Sequence, residues 1–328
     1  MDDSVLICGT NWLGDSIMSM PAIQSFRRVH PSTRICLLTR PWLFPLWRMQ
    51  AAVDEIITYE PGLLGTFSAA RELRPRHFHT GYIFPNSFRS AAIPFLGGIP
   101  ARRGFPGHWR RWILSDPVER SDRGRRRHQS WEYMAILGLP TDGESLGQPE
   151  LRVPEESIRK ARHCIDGEEC AMVVGLLPGA ARGSAKRWPA ERFAAVGRGL
   201  ADALKARVVV TGSHAERDLC GKVAALIGKG ALCLAGQSDL VDTAALLRIC
   251  HLVVANDSGG MHLAAAVGTP VVAVYGLTDP EVTGPLGTGH RVIAGAGLPR
   301  SRDIARESAD AEACLASIST DEVLGAAL

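Results

Sequence analysis

No two cysteines in this 328-residue chain are spaced as CxxC, and the eight thiols (Cys8, Cys36, Cys164, Cys170, Cys220, Cys233, Cys250, Cys314) show no metal-ligand spacing. That argues against a zinc cluster and against a dithiol redox centre. Cys8, Cys36 and Cys250 lie in apolar runs and read as small buried hydrophobes, and reduced thiols suit a cytosolic protein. Long hydrophobic runs are lacking too. The longest low-polarity stretch, 264–277, is interrupted by Gly268, Thr269 and Pro270 and is too short to span a bilayer. The opening MDDSVLICGT is acidic and runs straight into a strand, so no signal peptide is expected there. Charge of one sign is not in excess: 37 basic against 34 acidic residues give a net +3, which by itself offers no argument for nucleic acid.

With 46% hydrophobic and 22% charged residues the composition is that of a soluble globular protein, and the length predicts two domains. Strand and helix patterns alternate. In the first half, strands are expected at 4–8, 34–38, 55–58 and 81–84, with helices at 15–29, 62–74 and 86–96. Pro21 sits inside the first helix. Residues 140–156, rich in Pro, Gly and acids, read as a connection, followed by a helix at about 155–165. The second half restarts the pattern, with strands at 172–177, 207–211, 232–234, 252–255 and 271–275. Helices are expected at 190–204, 215–227, 239–249 and 261–267, and an amphipathic stretch, 310–327, follows. This alternation predicts two doubly wound α/β domains with parallel sheets, 1–166 and 167–308, expected to face each other across a cleft. Ligands of such sheets bind at the carboxyl ends of the strands.

Three strand-to-helix turns are candidates, because free N–H groups and the helix dipole favour phosphate there. The first is GTNWLGD (9–15). Its two glycines mimic a P-loop, but Asp15-Ser16 stands where Lys-Ser/Thr is needed, and the turn is not GxGxxG either. Asp15 reads as a helix N-cap, as a catalytic carboxylate, or as both. The second, LPGAARGSAKRWP (177–189), carries Arg182, Lys186 and Arg187; it is an exposed basic loop or a diphosphate site in which Lys186 acts as a mobile charge. Trp188 is expected to pack beneath it. The third is NDSGGMH (256–262). The amides of Ser258, Gly259 and Gly260 could receive a phosphate, whereas Asp257 suits sugar hydroxyls or a helix cap, and His262 is a packed residue or a ligand contact.

Charge is uneven along the chain. Residues 101–130 hold nine arginines (102, 103, 110, 111, 120, 123, 125, 126, 127) against Asp116, Glu119 and Asp122. This is either a solvated face or a surface for an anionic partner, with Trp109 and Trp112 placed as interfacial anchors.

At these residues the chain resembles the ADP-heptose:lipopolysaccharide heptosyltransferases, a GT-B glycosyltransferase family. The resembling segments are NWLGDSIMSMPAI (11–23), PNSFRSAAIPFLGGIPARRGF (85–105), PGAARGSAKRWPAERFA (178–194), TGSHAERD (211–218), LAGQSDL (234–240) and NDSGGMHLAAAVGTPVVAVYG (256–276). The combination of GDxxxxxPA, KRWP and NDSGxMHxAAA is specific, and PNSFRSA favours the second family type over the first. The resemblance implies Asp15 as general base and Lys186 at the donor phosphates. It implies Glu216 on the adenosine ribose, and Gly179, Asp257, Ser258, Gly259, Gly260, Met261 and His262 around the rest of the donor. The acceptor is expected at Asn11, Trp12, Gly14, Asn86, Ser87, Arg89, Arg102 and Arg103. One departure is Gly260, where the family has a bulkier residue; it is expected to enlarge the donor pocket or loosen the helix start. Residues 309–328 are expected to form a helix crossing back to the first domain.

The reaction so implied is a direct, inverting displacement. Heptose moves from ADP-heptose to a heptosyl-Kdo-lipid A inner core, the partner that the arginine-rich segment would meet. No DxD motif is present, so the cations are expected to replace a divalent ion at the departing ADP, with no cofactor. Domain closure would exclude water. The expected location is cytoplasmic, peripheral on the inner membrane. Rival expectations are another acceptor or donor within the family, or a nucleotide-sugar epimerase of the same architecture.

Overall fold

The computed structural model describes residues 4–107, 109–119, 127–143, 146–165, 172–181, 183–295 and 307–328. They divide into two compact units, Met1–Gln148 and Pro149–Leu328.

The first unit is built on a parallel sheet of β1 (Ser4–Cys8), β2 (Arg34–Thr39), β3 (Glu55–Thr58), β4 (Thr80–Ile83), β5 (Ala101–Gly104) and β6 (Asp116–Pro117), in the order β3-β2-β1-β4-β5-β6. β1 is central and covered on both faces, which is why SVLIC is apolar without alternation. Its helices are α1 (Leu13–Val29), α2 (Phe44–Arg48), α3 (Leu63–Leu73), α4 (Phe88–Leu96) and α5 (Ser130–Ile136). α1 runs on through Pro21, whose ring is buried. Leu6, Cys36, Leu38, Ile83 and Ile93 lie in the core cluster of this unit.

The second unit repeats the plan. β7 (Val173–Leu177), β8 (Arg207–Val210), β9 (Ala231–Cys233), β10 (Leu252–Asn256), β11 (Val271–Tyr275) and β12 (Arg291–Ala294) take the order β12-β11-β10-β7-β8-β9. Counted from its own first strand, this is again 3-2-1-4-5-6, the dinucleotide-fold order. Helices α6 (Glu155–Ile165), α7 (Ala190–Leu204), α8 (Arg217–Ile227), α9 (Leu240–Ile249), α10 (Gly259–Ala266), α11 (Pro280–Thr283), α12 (Ala309–Ser317) and α13 (Thr320–Ala327) complete it. Val174, Leu176, Phe193, Val208, Val254 and Val272 anchor its core.

Several elements differ from the sequence expectation. β5 and β6 carry no apolar run, and β12 has only the short one at 292–294. β5 reads ARRG because its two arginines turn their guanidinium groups onto backbone carbonyls: Arg102 onto Ile113, Ile99 and Pro100, and Arg103 onto Ile136 and Ala135. The division between units falls at Gln148/Pro149 rather than at 166, because Ala161 and Ile165 of α6 pack with Val209, Ala245 and Leu246. The final stretch is two helices, broken where Ser319 caps α13 in a reciprocal box with Glu322. α13 lies on α7, and Val323 is part of the second unit's core.

Candidate functional site

In each sheet the strand order reverses between two central strands, and the turns leaving those strands flank a crevice at the carboxyl edge. In the second unit these strands are β7 and β10. Asn256, the last residue of β10, is fully buried. Its Oδ1 accepts from the backbone N–H of Trp188 at 3.0 Å and its Nδ2 donates to the carbonyl of Pro178 at 2.8 Å. One amide thus pins both ends of the KRWP loop to the β10 turn. Sequence reasoning missed this residue; its signal is an asparagine ending an otherwise apolar strand. Trp188 packs under the loop as expected, and its indole donates to the Ile318 carbonyl at 3.2 Å.

Lys186 ends a short turn at Ser184–Lys186, and its ammonium pairs with the Asp257 carboxylate. Both side chains are largely sheltered, 15% and 7% exposed. Of the two expectations for Asp257, sugar hydroxyls or a helix cap, this sets aside the cap. The cap of α10 is Ser258, whose hydroxyl accepts from the Met261 N–H at 3.5 Å, and the helix therefore starts at Gly259 rather than at 261. Met261 and His262 are buried in its first turn. Beneath the pair lies Tyr275, whose hydroxyl donates to the Thr283 carbonyl at 2.6 Å. Burial, and then the Asp257 charge, push this phenol well above its ordinary range, so it stays protonated. Gly260 faces no open space. A Cβ there would meet Leu177 Cδ1 at 3.1 Å, so Leu177 already fills the volume that a bulkier residue would claim.

Glu216 holds a capping box at the turn His214–Glu216, its Oε2 accepting from Ser213 N–H at 2.8 Å and from Ser213 Oγ at 2.7 Å. The same carboxylate lies across Gly179, where a Cβ would come within 2.1 Å of Oε1. Glycine at 179 is therefore what allows an acidic group at the carboxyl edge of β7. The second unit so gathers Gly179, Lys186, Glu216, Asp257, the 258–260 amides and His262 on the turns of β7, β8 and β10, a set able to hold an anionic diphosphate and vicinal hydroxyls. Arg182 lies outside the described residues.

In the first unit the corresponding turns follow β1 and β4. The N-cap of α1 is Trp12, without a side-chain bond, so Asp15 is the third helical residue and not the cap. Its half-buried carboxylate Oδ1 accepts from Gln129 Nε2 at 3.0 Å. Gly14 precedes it in the same turn. Asn11 accepts from Arg40 Nε at 2.9 Å, and that guanidinium stacks on Tyr59 at 4.2 Å. Ser87 caps α4 by accepting from Ser90 N–H at 3.2 Å, and Arg89 is exposed in its first turn. Asn86 accepts from Arg110 at 3.1 Å.

The arginine-rich segment is not one uniform face. Arg110 is fully buried and bonds to the carbonyls of Phe105 and Pro85. Arg102 and Arg103 are committed to the carbonyls above, and burial lowers the Arg102 pKa. Arg127 binds the Thr141 and Gly143 carbonyls. Arg111 is exposed between Trp109 and Trp112, each 87% exposed, while Arg120, Arg123, Arg125 and Arg126 lie outside the described residues. The exposed tryptophans belong to a longer series. Trp12, Trp42, Leu63 with Leu64, Phe88, and Trp109 with Trp112 follow β1, β2, β3, β4 and β5 in turn, and all are exposed. Because the strands are parallel, all of them leave the same edge of the sheet. The large exposed hydrophobics of the second unit are only Leu226, Val292 and Leu328 among the described residues.

The family model for glycosyltransferase family 9 (heptosyltransferase) matches residues 66–313. The chain belongs to glycosyltransferase family 9. As a heptosyl-transferring enzyme of that family it is 31% identical over 306 residues to lipopolysaccharide heptosyltransferase 2 of Escherichia coli, covering 88% of this chain and 87% of the relative. It is 30% identical to lipooligosaccharide heptosyltransferase 2 of Haemophilus ducreyi, covering 86% of each. The structure of the E. coli ADP-heptose LPS heptosyltransferase II superposes with a TM-score of 0.85 at 28% identity, over 99% of this chain and 97% of that one. The fold of this family 9 transferase is thus the two-unit GT-B plan.

Proposed function

We propose that this enzyme moves L-glycero-D-manno-heptose from ADP-heptose to the heptosyl-Kdo-lipid A inner core of lipopolysaccharide, with inversion at the anomeric carbon. The observation that carries the reading is that each unit bears the matching half of the chemistry at its own sheet's reversal point: a carboxylate, Asp15, in the first, and the Lys186–Asp257 cluster in the second. Asp15 removes the proton of the acceptor hydroxyl as that oxygen attacks the anomeric carbon. The bond to ADP breaks with charge developing on the phosphate, and Lys186 with the amides of 258–260 stabilises it without a divalent ion. Glu216 accepts from the ribose hydroxyls, and Asp257 keeps the Lys186 ammonium aimed. Asn11, Trp12, Gly14, Asn86, Ser87 and Arg89 line the acceptor's approach. Arg102 and Arg103, each anchored on backbone carbonyls through part of its guanidinium group, complete that wall.

The same reading puts the enzyme at the cytoplasmic face of the inner membrane. Aromatic and leucine side chains along one sheet edge, with Arg111 among them, suit the interface of an anionic bilayer in which such an acceptor sits. No helix among the described residues is long and apolar enough to cross a membrane.

The test is mass spectrometry of a singly heptosylated acceptor after incubation with the protein and ADP-heptose in EDTA. Gain of one heptose is expected, and Asp15→Asn abolishes it while leaving ADP affinity about intact. Turnover by Asp15→Asn, or transfer lost to EDTA, counts against the mechanism. With the acceptor in anionic vesicles, Trp109→Ser/Trp112→Ser slows transfer, and with the acceptor in detergent it does not.

A further inference from the structure

Gln129 comes from a part of the chain that none of the motifs touches, yet it reaches Asp15 across 114 residues of sequence. It is buried, 6% exposed. Its Nε2 donates to Asp15 Oδ1 at 3.0 Å and to the Tyr133 hydroxyl at 2.6 Å, so both amide hydrogens are used. A glutamine just before a helix could simply be capping it. Here the Gln129 side chain makes no cap bond to α5, so its amide is spent elsewhere.

The support behind Gln129 is firm. The Ser130 hydroxyl donates to the Met18 carbonyl of α1 at 2.6 Å, tying the start of α5 to the helix that carries Asp15. Arg103 holds the other end through the Ile136 and Ala135 carbonyls, at 2.9 and 3.3 Å. Between them the Tyr133 ring lies 4.9 Å from that of Phe84. An ionised carboxylate only accepts hydrogen bonds, so the nitrogen end of the amide is the end that can face it.

Resting on the reading of Asp15 as the base, we propose that Gln129 is its positioning residue: the amide fixes the carboxylate's orientation and holds it in the ionised form that accepts the acceptor's proton. A hydrogen bond donated to the charged form of an acid lowers its pKa, and one fixed oxygen restricts the rotation of the other.

The test uses the full-length protein. Gln129→Met keeps length and volume and removes the donors. Its kcat is expected to fall about tenfold, with the KM for ADP-heptose within about twofold of wild type, and the acid limb of kcat to move up by about one pH unit. Gln129→Glu sets a second carboxylate against Asp15 and moves that limb further in the same direction; being isosteric, it also serves if the methionine variant does not fold. An NMR titration of the Asp15 carboxyl, without substrates, reads the same shift. A purely packing role lowers the melting temperature and leaves limb and titration midpoint at their wild-type positions, and that result overturns the proposal. Asp15→Asn separates the two layers. If it turns over normally, the base assignment fails; if it is inactive while Gln129→Met titrates like wild type, only the role of Gln129 fails.

Discussion

Lys186 and Asp257 are sheltered together, and each makes the other tolerable in that position. Removing one partner of such a pair leaves the other as a desolvated lone charge, whereas replacing both with apolar groups can be nearly neutral. Lys186→Met is therefore expected to cost about 2–4 kcal/mol in urea unfolding, and Lys186→Met/Asp257→Leu to recover most of that loss. A double mutant no more stable than the single would show that the pair contributes little to folding. Both residues stood out in the sequence as members of Gly-rich turns, but their contact did not, because 71 residues separate them and only the parallel pairing of β7 with β10 brings the turns together. Gln129 was harder still to find: it lies in a polar stretch after an arginine run and carries no periodic or motif signal.

Elements were legible where burial dictates composition. Apart from Ser4 and Asn256 at their ends, the central strands β1, β7, β10 and β11 are apolar because helices cover both faces, and α7 was readable to its last residue. The edge strands are weak signals, β6 being two residues long and β12 a half-exposed four-residue strand, while β5 substitutes guanidinium-to-carbonyl bonds for side-chain packing. Helix starts were misjudged by a residue or two where a serine cap preceded the periodic pattern, as at Ser87, Ser258 and Ser308. Beside the Lys186–Asp257 pair, Asn256 ties the β10 turn to the backbone of its neighbour. Asn256→Leu strands a buried N–H and a buried carbonyl. It is expected to cost about 2–4 kcal/mol and to raise the donor KM through displacement of Lys186, as measured by urea unfolding and initial rates.

Across the whole molecule, four buried thiols share one behaviour. Burial pushes Cys8, Cys36, Cys220 and Cys250 up to about 12 from the ordinary 9.0, so the folded chain keeps thiol protons that the unfolded chain releases. The stability they confer is complete below pH 9 and drains away as pH climbs from 9 towards 12. Urea midpoints should be flat up to that window and fall through it, and Cys250→Ala should soften the fall; a midpoint unchanged through the window contradicts this. The tail of the chain has a different reach. The Ile318 carbonyl, between α12 and α13, receives both the Trp188 indole and the Arg192 guanidinium. Clipping the polypeptide before that residue would unfasten the lysine-bearing turn from behind, more than a hundred positions upstream, so a shortened C-terminus in this enzyme is expected to loosen the Lys186 turn rather than act as a harmless trim.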